Sequence, residues 1–321
     1  MKNNIIKLAV IASATMLAAC GGSNDNSPKL ANFSLGVSDA PVNGALSVMV
    51  CFNKVELTGN GLGKQSFTIG SDTEAAAAND KCRDANGNVI ANSRGIDLLL
   101  LDGAKSEALI SGAKFAAGNY GQLRLAIAEG SYVVQEDGLK VPLRVPSNEL
   151  KLGGVTLSAG GTFNYTLEFD LRKAMVNPVG QPGYLLKPRG LRLVDNSEIG
   201  HLTGQVAEGL LINNSCTVAP VDVLRPVATV YLYQGADRPL AELSDNGGVN
   251  VYQSYASTNV YFDGVSEYHY SIGYIDADTY TAAVSCDIID DPEQADDITF
   301  LQAENVIINA NATPVQLDFT P

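Results

Sequence analysis

Apolar and polar residues alternate over most of this chain at a period of two, the period of strands, and only weakly at the helical period of 3.6. Phe33-Ser34-Leu35-Gly36-Val37 alternates and then meets a turn at Asp39-Ala40-Pro41. Val48, Val50 and Phe52 share one strand face, whereas Val55 and Leu57 lie on the other parity, which predicts a β-bulge near Asn53. Leu123, Leu125 and Ile127 mark another strand, as do Phe163, Tyr165, Leu167 and Phe169. Asp137-Gly138 sits between Tyr132-Val133-Val134 and Leu139-Lys140-Val141, a hairpin signature. Residues 58–95 read as a loop-like excursion, with an alanine run at 75–78 and a turn at Asn86-Gly87. The apolar run at residues 96–101 fits either a buried strand or a short helical turn.

After Gly200 the short strands resume, at residues 202–206, 229–233, 280–284, 306–308 and 315–317. Turn residues separate them, and no helix of three turns with an apolar stripe appears. The pattern predicts an all-β protein of two β-sandwich domains, at residues 32–194 and 195–321. Both halves also place a turn just before a tyrosine that opens a strand, at Tyr120 and Tyr280. Such a tyrosine buries its ring and bonds its hydroxyl to nearby backbone, as in the tyrosine corner of sandwich domains.

The N-terminus has a different character. Lys2 and Lys7 precede an acid-free apolar core at residues 8–16, and Leu17-Ala18-Ala19-Cys20 follows. The stretch is too short to cross a hydrocarbon layer of about 30 Å, so residues 1–19 read as a cleaved secretory signal. The Leu-Ala-Ala-Cys ending resembles a bacterial lipobox, which implies acylation of Cys20 as the mature first residue. Gly21-Gly22-Ser23 carries no Asp after the cysteine, which by resemblance to Gram-negative lipoproteins implies release to the outer membrane. Residues 20–31 are small and polar, a lipidated tether. Export also decides how the remaining cysteines are read. Cys51, Cys82, Cys216 and Cys286 are an even set suited to disulfides, and we pair Cys51 with Cys82 and Cys216 with Cys286 because each pair falls within one domain. Zinc is disfavoured, since no two cysteines lie two to four apart and His201 and His269 stand alone.

Charge divides the chain as sharply as the pattern unites it. The net charge is −14, yet acidic and basic residues nearly cancel over residues 21–194. From Asp195 onward only Arg225 and Arg238 are basic, against 19 Asp and Glu. That field repels nucleic acid and favours cations or basic partners.

The first unit resembles the bacterial lipoprotein domain family known as domain of unknown function 4382. The resemblance rests on Val37-Ser38-Asp39-Ala40-Pro41, residues 48–57, Ile96-Asp97-Leu98-Leu99 and residues 117–125 (Ala-Gly-Asn-Tyr-Gly-Gln-Leu-Arg-Leu). Val145-Pro146-Ser147, Leu167-Glu168-Phe169-Asp170 and Leu186-Lys187-Pro188 complete it, in the family's order over residues 31–194. It implies a β-rich envelope lipoprotein with no assigned activity, and the long loop at residues 59–94 is a departure from the family. The second unit is only generically similar to transthyretin-like or carboxypeptidase-regulatory sandwiches.

No catalytic constellation accompanies these landmarks. The chain has no Gly-x-Ser-x-Gly elbow, His-Glu-x-x-His, Walker loop or dinucleotide fingerprint, so no catalytic and no cofactor-binding residue is assigned. Glu168 and Asp170 share a strand face and are the best carboxylate pair for glycoside hydrolysis, but they read more simply as pointing to solvent or to a basic neighbour such as Arg172 or Arg124. Calcium is the strongest ligand expectation, through Asp287, Asp290, Asp291, Glu293, Asp296 and Asp297, although the spacing is not that of an EF-hand. Asp84-Ala85-Asn86-Gly87-Asn88 is a second candidate that an Asn-Gly hairpin explains equally well. Tyr252, Tyr255, Tyr261, Phe262, Tyr268, Tyr270 and Tyr274 suggest a face for sugar stacking or a protein partner. The expectation is a lipid-anchored envelope binding or scaffold protein without catalysis, engaging a protein, glycan or calcium through its acidic domain. A carboxylate hydrolase and a structural spacer are the alternatives.

Overall fold

The computed structural model describes residues 29–321 except 41, 60, 62 and 312, so the signal, Cys20 and most of the tether lie outside the described residues. The chain is all-β. Its first unit contains β1 (Leu30–Ala40), β2 (Ala45–Gly59), β3 (Gly63–Thr68), β4 (Arg94–Asp97), β5 (Glu107–Ala116), β6 (Gly118–Ile127) and β7 (Tyr132–Gln135). It continues with β8 (Lys140–Arg144), β9 (Glu149–Leu152), β10 (Val155–Leu157), β11 (Thr162–Asp170), the helical turn α1 (Leu171–Ala174), β12 (Met175–Val176), β13 (Tyr184–Leu186) and β14 (Leu191–Asp195). The second unit contains β15 (Ile199–Gln205), α2 (Glu208–Asn213), β16 (Ala228–Gln234), β17 (Ala256–Phe262), β18 (Tyr268–Asp276), β19 (Thr279–Ser285), β20 (Phe300–Ile307) and β21 (Val315–Gln316).

In the first unit a mixed sheet ordered β14-β11-β1-β5 faces a larger sheet built on β10-β6-β2-β7-β8-β13-β12. Phe33, Leu35 and Val37 of β1 and Leu167 and Phe169 of β11 point inward to meet Val50, Phe52, Val55 and Leu57 of β2 in one core. The predicted bulge is present. In the β2–β6 pairing Phe52 lies opposite Ile127 and Lys54 opposite Ala126, which leaves Asn53 as the extra residue. The hairpin at Asp137-Gly138 is present too, with Gly138 at φ +82°, a conformation that glycine adopts without strain.

The excursion after β2 is more ordered than its composition implies. β3 pairs antiparallel with β2, from Lys54 opposite Thr68 to Gly59 opposite Gly63. The remainder is pinned by a disulfide between Cys51 and Cys82 (Cα–Cα 5.8 Å). A second disulfide joins Cys216 to Cys286 (Cα–Cα 5.3 Å). Residues 96–101 combine both readings, because β4 ends at Asp97 and Leu98–Leu100 form a single 3-10 turn. Leu98 enters the core, but Leu100 is 65 % exposed.

The second unit differs from a pair of separate stacked sheets. Its seven strands run continuously in the order β20-β19-β16-β17-β18-β15-β21. β17 makes the link, pairing with β16 through residues 256–260 and with β18 through Tyr261 and Phe262. The two halves fold over one core in which Val230, Leu232 and Val284 join Leu202, Tyr270 and Ile272. Tyr120 and Tyr280 form matching corners. Each is fully buried, and each hydroxyl donates to the carbonyl four residues upstream, Ala116 at 2.8 Å and Asp276 at 2.9 Å.

Candidate functional site at the seam between the units

The second face of the β14-β11-β1-β5 sheet is not solvated; it packs on β17 and β18 of the second unit. Backbone meets backbone here, since a Cβ on Gly273 would lie 1.8 Å from the Gly103 carbonyl oxygen. Only glycine at 273 permits that approach. Across this face Ser38, Glu168 and Arg192 form one row of neighbours on adjacent strands.

Asp170 ends β11 and does two things. Its Oδ1 caps α1 by accepting from the Lys173 amide at 3.3 Å, and its Oδ2 accepts from the Ser257 amide of β17 at 3.1 Å. The cap aims α1 at the second unit. Arg172 there is fully enclosed, donating to Asn259 Oδ1 (2.9 Å), the Ile288 carbonyl (3.2 Å) and the Tyr231 hydroxyl (3.0 Å). Its Nη2 lies 3.6 Å from Asp290 Oδ2, and both side chains are at most 2 % exposed. The Tyr231 hydroxyl in turn donates to Asp290 Oδ2 at 2.6 Å. Lys173 bonds the Ser254 carbonyl, Lys187 pairs with Glu293, and Arg192 donates to the Tyr255 carbonyl at 3.3 Å with its guanidinium 4.7 Å from that ring's centroid. The first unit supplies the cations and the second supplies most of the acceptors. The acidic half thus finds its nearest basic partner within its own chain.

Burial shapes the ionisation of this layer. Burial pushes the Glu168 carboxyl up to about 8, with Arg192 opposing the shift. Neither Glu168 oxygen receives a hydrogen bond, and Ser38 directs its hydroxyl to the carbonyls of Leu101 and Lys105 instead. Burial likewise raises Asp39 well above its ordinary range, reinforced by Glu168 and Asp170. Asp170 and Asp290 are raised by burial, against the pull of Lys173 and Arg192 on the first and Arg172 on the second. Shifted carboxyls of this kind also mark catalytic sites, but these are covered by protein and line no opening. The expectation that Glu168 and Asp170 face solvent is therefore corrected. Their strand face is the one that the second unit covers, and the basic neighbour expected as the alternative to solvent is found: Arg192 beside Glu168, and Lys173, Arg192 and Arg172 beside Asp170, whereas Arg124 lies near Glu149.

The acidic loop does not act as one cluster. Asp290 turns inward to Arg172, Tyr231 and Asn246, whose side-chain amide donates at 2.7 Å. Asp287 receives the Thr299 amide at 2.8 Å, Asp291 receives the Glu293 amide at 2.9 Å, and Glu293 pairs with Lys187 and, at 3.8 Å, with Arg189. Asp245, which no sequence pattern marked, joins Asp290 and Asp296, with one oxygen from each within 4.8 Å of the others. Protein donors already serve all three: Asp296 bonds Asp245 through its amide, and the Asp291 amide donates to Asp296 at 2.5 Å. Asp84 is satisfied inside its own turn, accepting from the Asn88 side-chain amide at 3.1 Å and from the backbone amides of Asn88 and Asn86 at 2.9 Å each, and these bonds lower its pKa, the Asn88 side chain most.

The tyrosine series does not make one face. Tyr268, Tyr270 and Tyr274 are buried, and Phe262 packs on Tyr268 with ring centroids 5.1 Å apart. Tyr252 lies under the Arg238 guanidinium at 4.3 Å, and Tyr255 bonds Asp276 at 3.0 Å. Tyr268, Tyr270 and Ile272 alternate as core-facing positions of β18, a strand not among those expected from the sequence. His201 is buried and accepts from the Tyr274 amide at 3.2 Å, whereas His269 is exposed beside Glu267 at 3.0 Å. Where the seam reaches the surface it opens into a cleft of about 450 Å³, walled by residues 42–46 and 99–100 from the first unit and 222–226 and Tyr261 from the second.

Residues 30–188 match the family model described as "Domain of unknown function (DUF4382)". The match covers most of the N-terminal unit. Strands β1 to β13 thus lie within the matched residues, and β14 and the second unit lie beyond them. No curated protein matches the chain. Among solved structures it is similar to a "putative adhesin" from Bacteroides ovatus, at 9 % identity and a TM-score of 0.20, covering 98 % of this chain and 96 % of that one. It is also similar to a streptococcal ancillary pilin, at 11 % identity and a TM-score of 0.17, covering 91 % of this chain and 63 % of that one. Likenesses of this size carry no weight for fold or function.

Proposed function

We propose that this protein is a lipid-anchored, non-catalytic scaffold of a Gram-negative outer membrane, tethered through Cys20 and presenting two β-units as one rigid body to a protein or glycan partner. The observation that carries this reading is the closure of the seam. The carboxyls best suited by position to general acid or base work, Glu168 and Asp170, are fully buried beneath the second unit, and Asp170 bonds across to the Ser257 amide. A hydrolase needs such groups at a substrate cleft with room for water. Calcium enters this reading only through Asp245, Asp290 and Asp296, where it would compete with Arg172 for Asp290.

Rigidity is the testable part. Spin labels at exposed Lys151 and Glu304, one on each unit, should give a single narrow distance distribution in the secreted Cys20→Ser protein. A broad distribution would remove the scaffold reading. Fractionation tests the anchor: the wild type should sediment with membranes and Cys20→Ser should not. Glycoside turnover that Glu168→Gln abolishes without altering the label distances would replace scaffold with hydrolase.

A further inference from the structure

The cleft at the surface end of the seam is lined by the wrong residues for a solvated rim. Leu46, Leu100 and Leu224 are 51 %, 65 % and 70 % exposed, and they converge on it from both units. Single exposed leucines are ordinary, but a concave wall of them drawn from three separate segments is a binding feature. Leu100 is placed by the 3-10 turn that buries Leu98 in the core. Leu224 is placed by a turn in which Asp222 Oδ1 accepts the Leu224 amide at 3.0 Å and the Asp222 carbonyl accepts the Arg225 amide at 3.1 Å. The volume of about 450 Å³ falls in the range of small-molecule sites.

Charge then selects among apolar ligands. From Asp195 onward the chain has two basic residues against 19 acidic ones. Arg238 is engaged, donating to the Gln234 carbonyl at 2.9 Å and covering Tyr252. Arg225 lines the cleft, and its guanidinium has no ion pair, hydrogen bond or ring partner among the described residues. The other cation on the wall, Lys105, pairs with Asp102. Glu136 and Asp222 also border the space, which disfavours ligands with several negative charges. One free cation beside an apolar trough suits one anionic group on an apolar body.

We propose that this cleft binds a single-chain amphiphile, an alkyl chain ending in one anionic head, with Arg225 on the head and Leu46, Leu100 and Leu224 along the chain. The inference rests on the binding-scaffold reading and adds to its protein or glycan partner a ligand of a different class. The probe is dodecanoate below its micelle-forming concentration, titrated calorimetrically into the secreted Cys20→Ser protein, with dodecanol as the uncharged comparison. Dodecanoate should bind saturably at one site, and Arg225→Gln should weaken it about tenfold, the size expected for one charge-assisted contact. Dodecanol should bind Arg225→Gln and the parent alike, and Leu100→Ser should weaken both ligands. Both substituted side chains are exposed, so unchanged melting midpoints will verify that folding is intact. Absence of saturable dodecanoate binding would overturn the proposal, as would equal affinity for dodecanol or indifference to Arg225→Gln. Self-association or adsorption to anionic vesicles that Leu224→Ser abolishes, without dodecanoate binding, would assign the trough to a second copy or a bilayer and overturn it too. The label distances report on rigidity independently, so failure here leaves the scaffold reading standing.

Discussion

Two regions at the same boundary reverse the usual distribution of residues. At the seam, Arg172, Asp170, Glu168 and Asp290 are enclosed. A short distance away, Leu46, Leu100 and Leu224 stand in water. Burial of charge is costly and is tolerated where partners are fixed on both sides; exposure of leucine costs little to the fold and is retained where something else will cover it. The seam therefore belongs to the architecture, and the cleft is the part left over for recognition. Shifted ionisation alone would have pointed to the wrong one.

Substitutions should separate the two regions by size of effect. The largest belongs to Arg172→Ala, which takes the cation from beside Asp290 and removes three donated hydrogen bonds at once. By the usual cost of breaking a buried pair it should destabilise by about 3–5 kcal/mol in urea unfolding. A loss below about 1 kcal/mol would show that water fills the gap and that the seam is not held by charge.

Next in size is the effect of pH. Glu168 keeps its proton in the fold up to about 8, whereas in the unfolded chain it ionises near 4.5. Between those values unfolding releases a proton, so stability falls as pH rises through the window and levels off above it. The loss is on the order of a few kcal/mol, and Glu168→Gln should reduce the slope, leaving the part that the raised Asp39, Asp170 and Asp290 contribute. A profile that Glu168→Gln leaves unchanged would mean that the carboxyl is ionised in the fold. Leu100→Ser should change stability by no more than about 0.5 kcal/mol, because its side chain has little to lose. The smallest effect is that of calcium: melting midpoints in millimolar calcium and in chelator should coincide. A midpoint that climbs with calcium concentration would instead place the ion among Asp245, Asp290 and Asp296.

Local features proved readable wherever the cause was local. Alternation at Phe33 to Val37 and at Leu123 to Ile127 marks strands that the structure contains, and parity alone located the bulge at Asn53. Tyr120 and Tyr280 follow the corner geometry that their turns imply. What escaped detection was set by contacts across the chain. Nothing near Glu168 in sequence indicates that β18, some hundred residues later, covers its face. Leu100 belongs to an apolar run that predicts burial, and only the 3-10 turn rotates it outward. The tyrosines of β18 alternate correctly for a strand, but their ring chemistry suggested a surface that the fold spends on its core.

Differential scanning calorimetry of the wild type and Arg172→Ala tests the central claim most directly, since a seam closed by buried charge should make the units unfold together. The wild type should show one cooperative transition, and Arg172→Ala should resolve into two or shift markedly downward. Two separate transitions in the wild type, or an Arg172→Ala trace superimposable on it, would contradict the account.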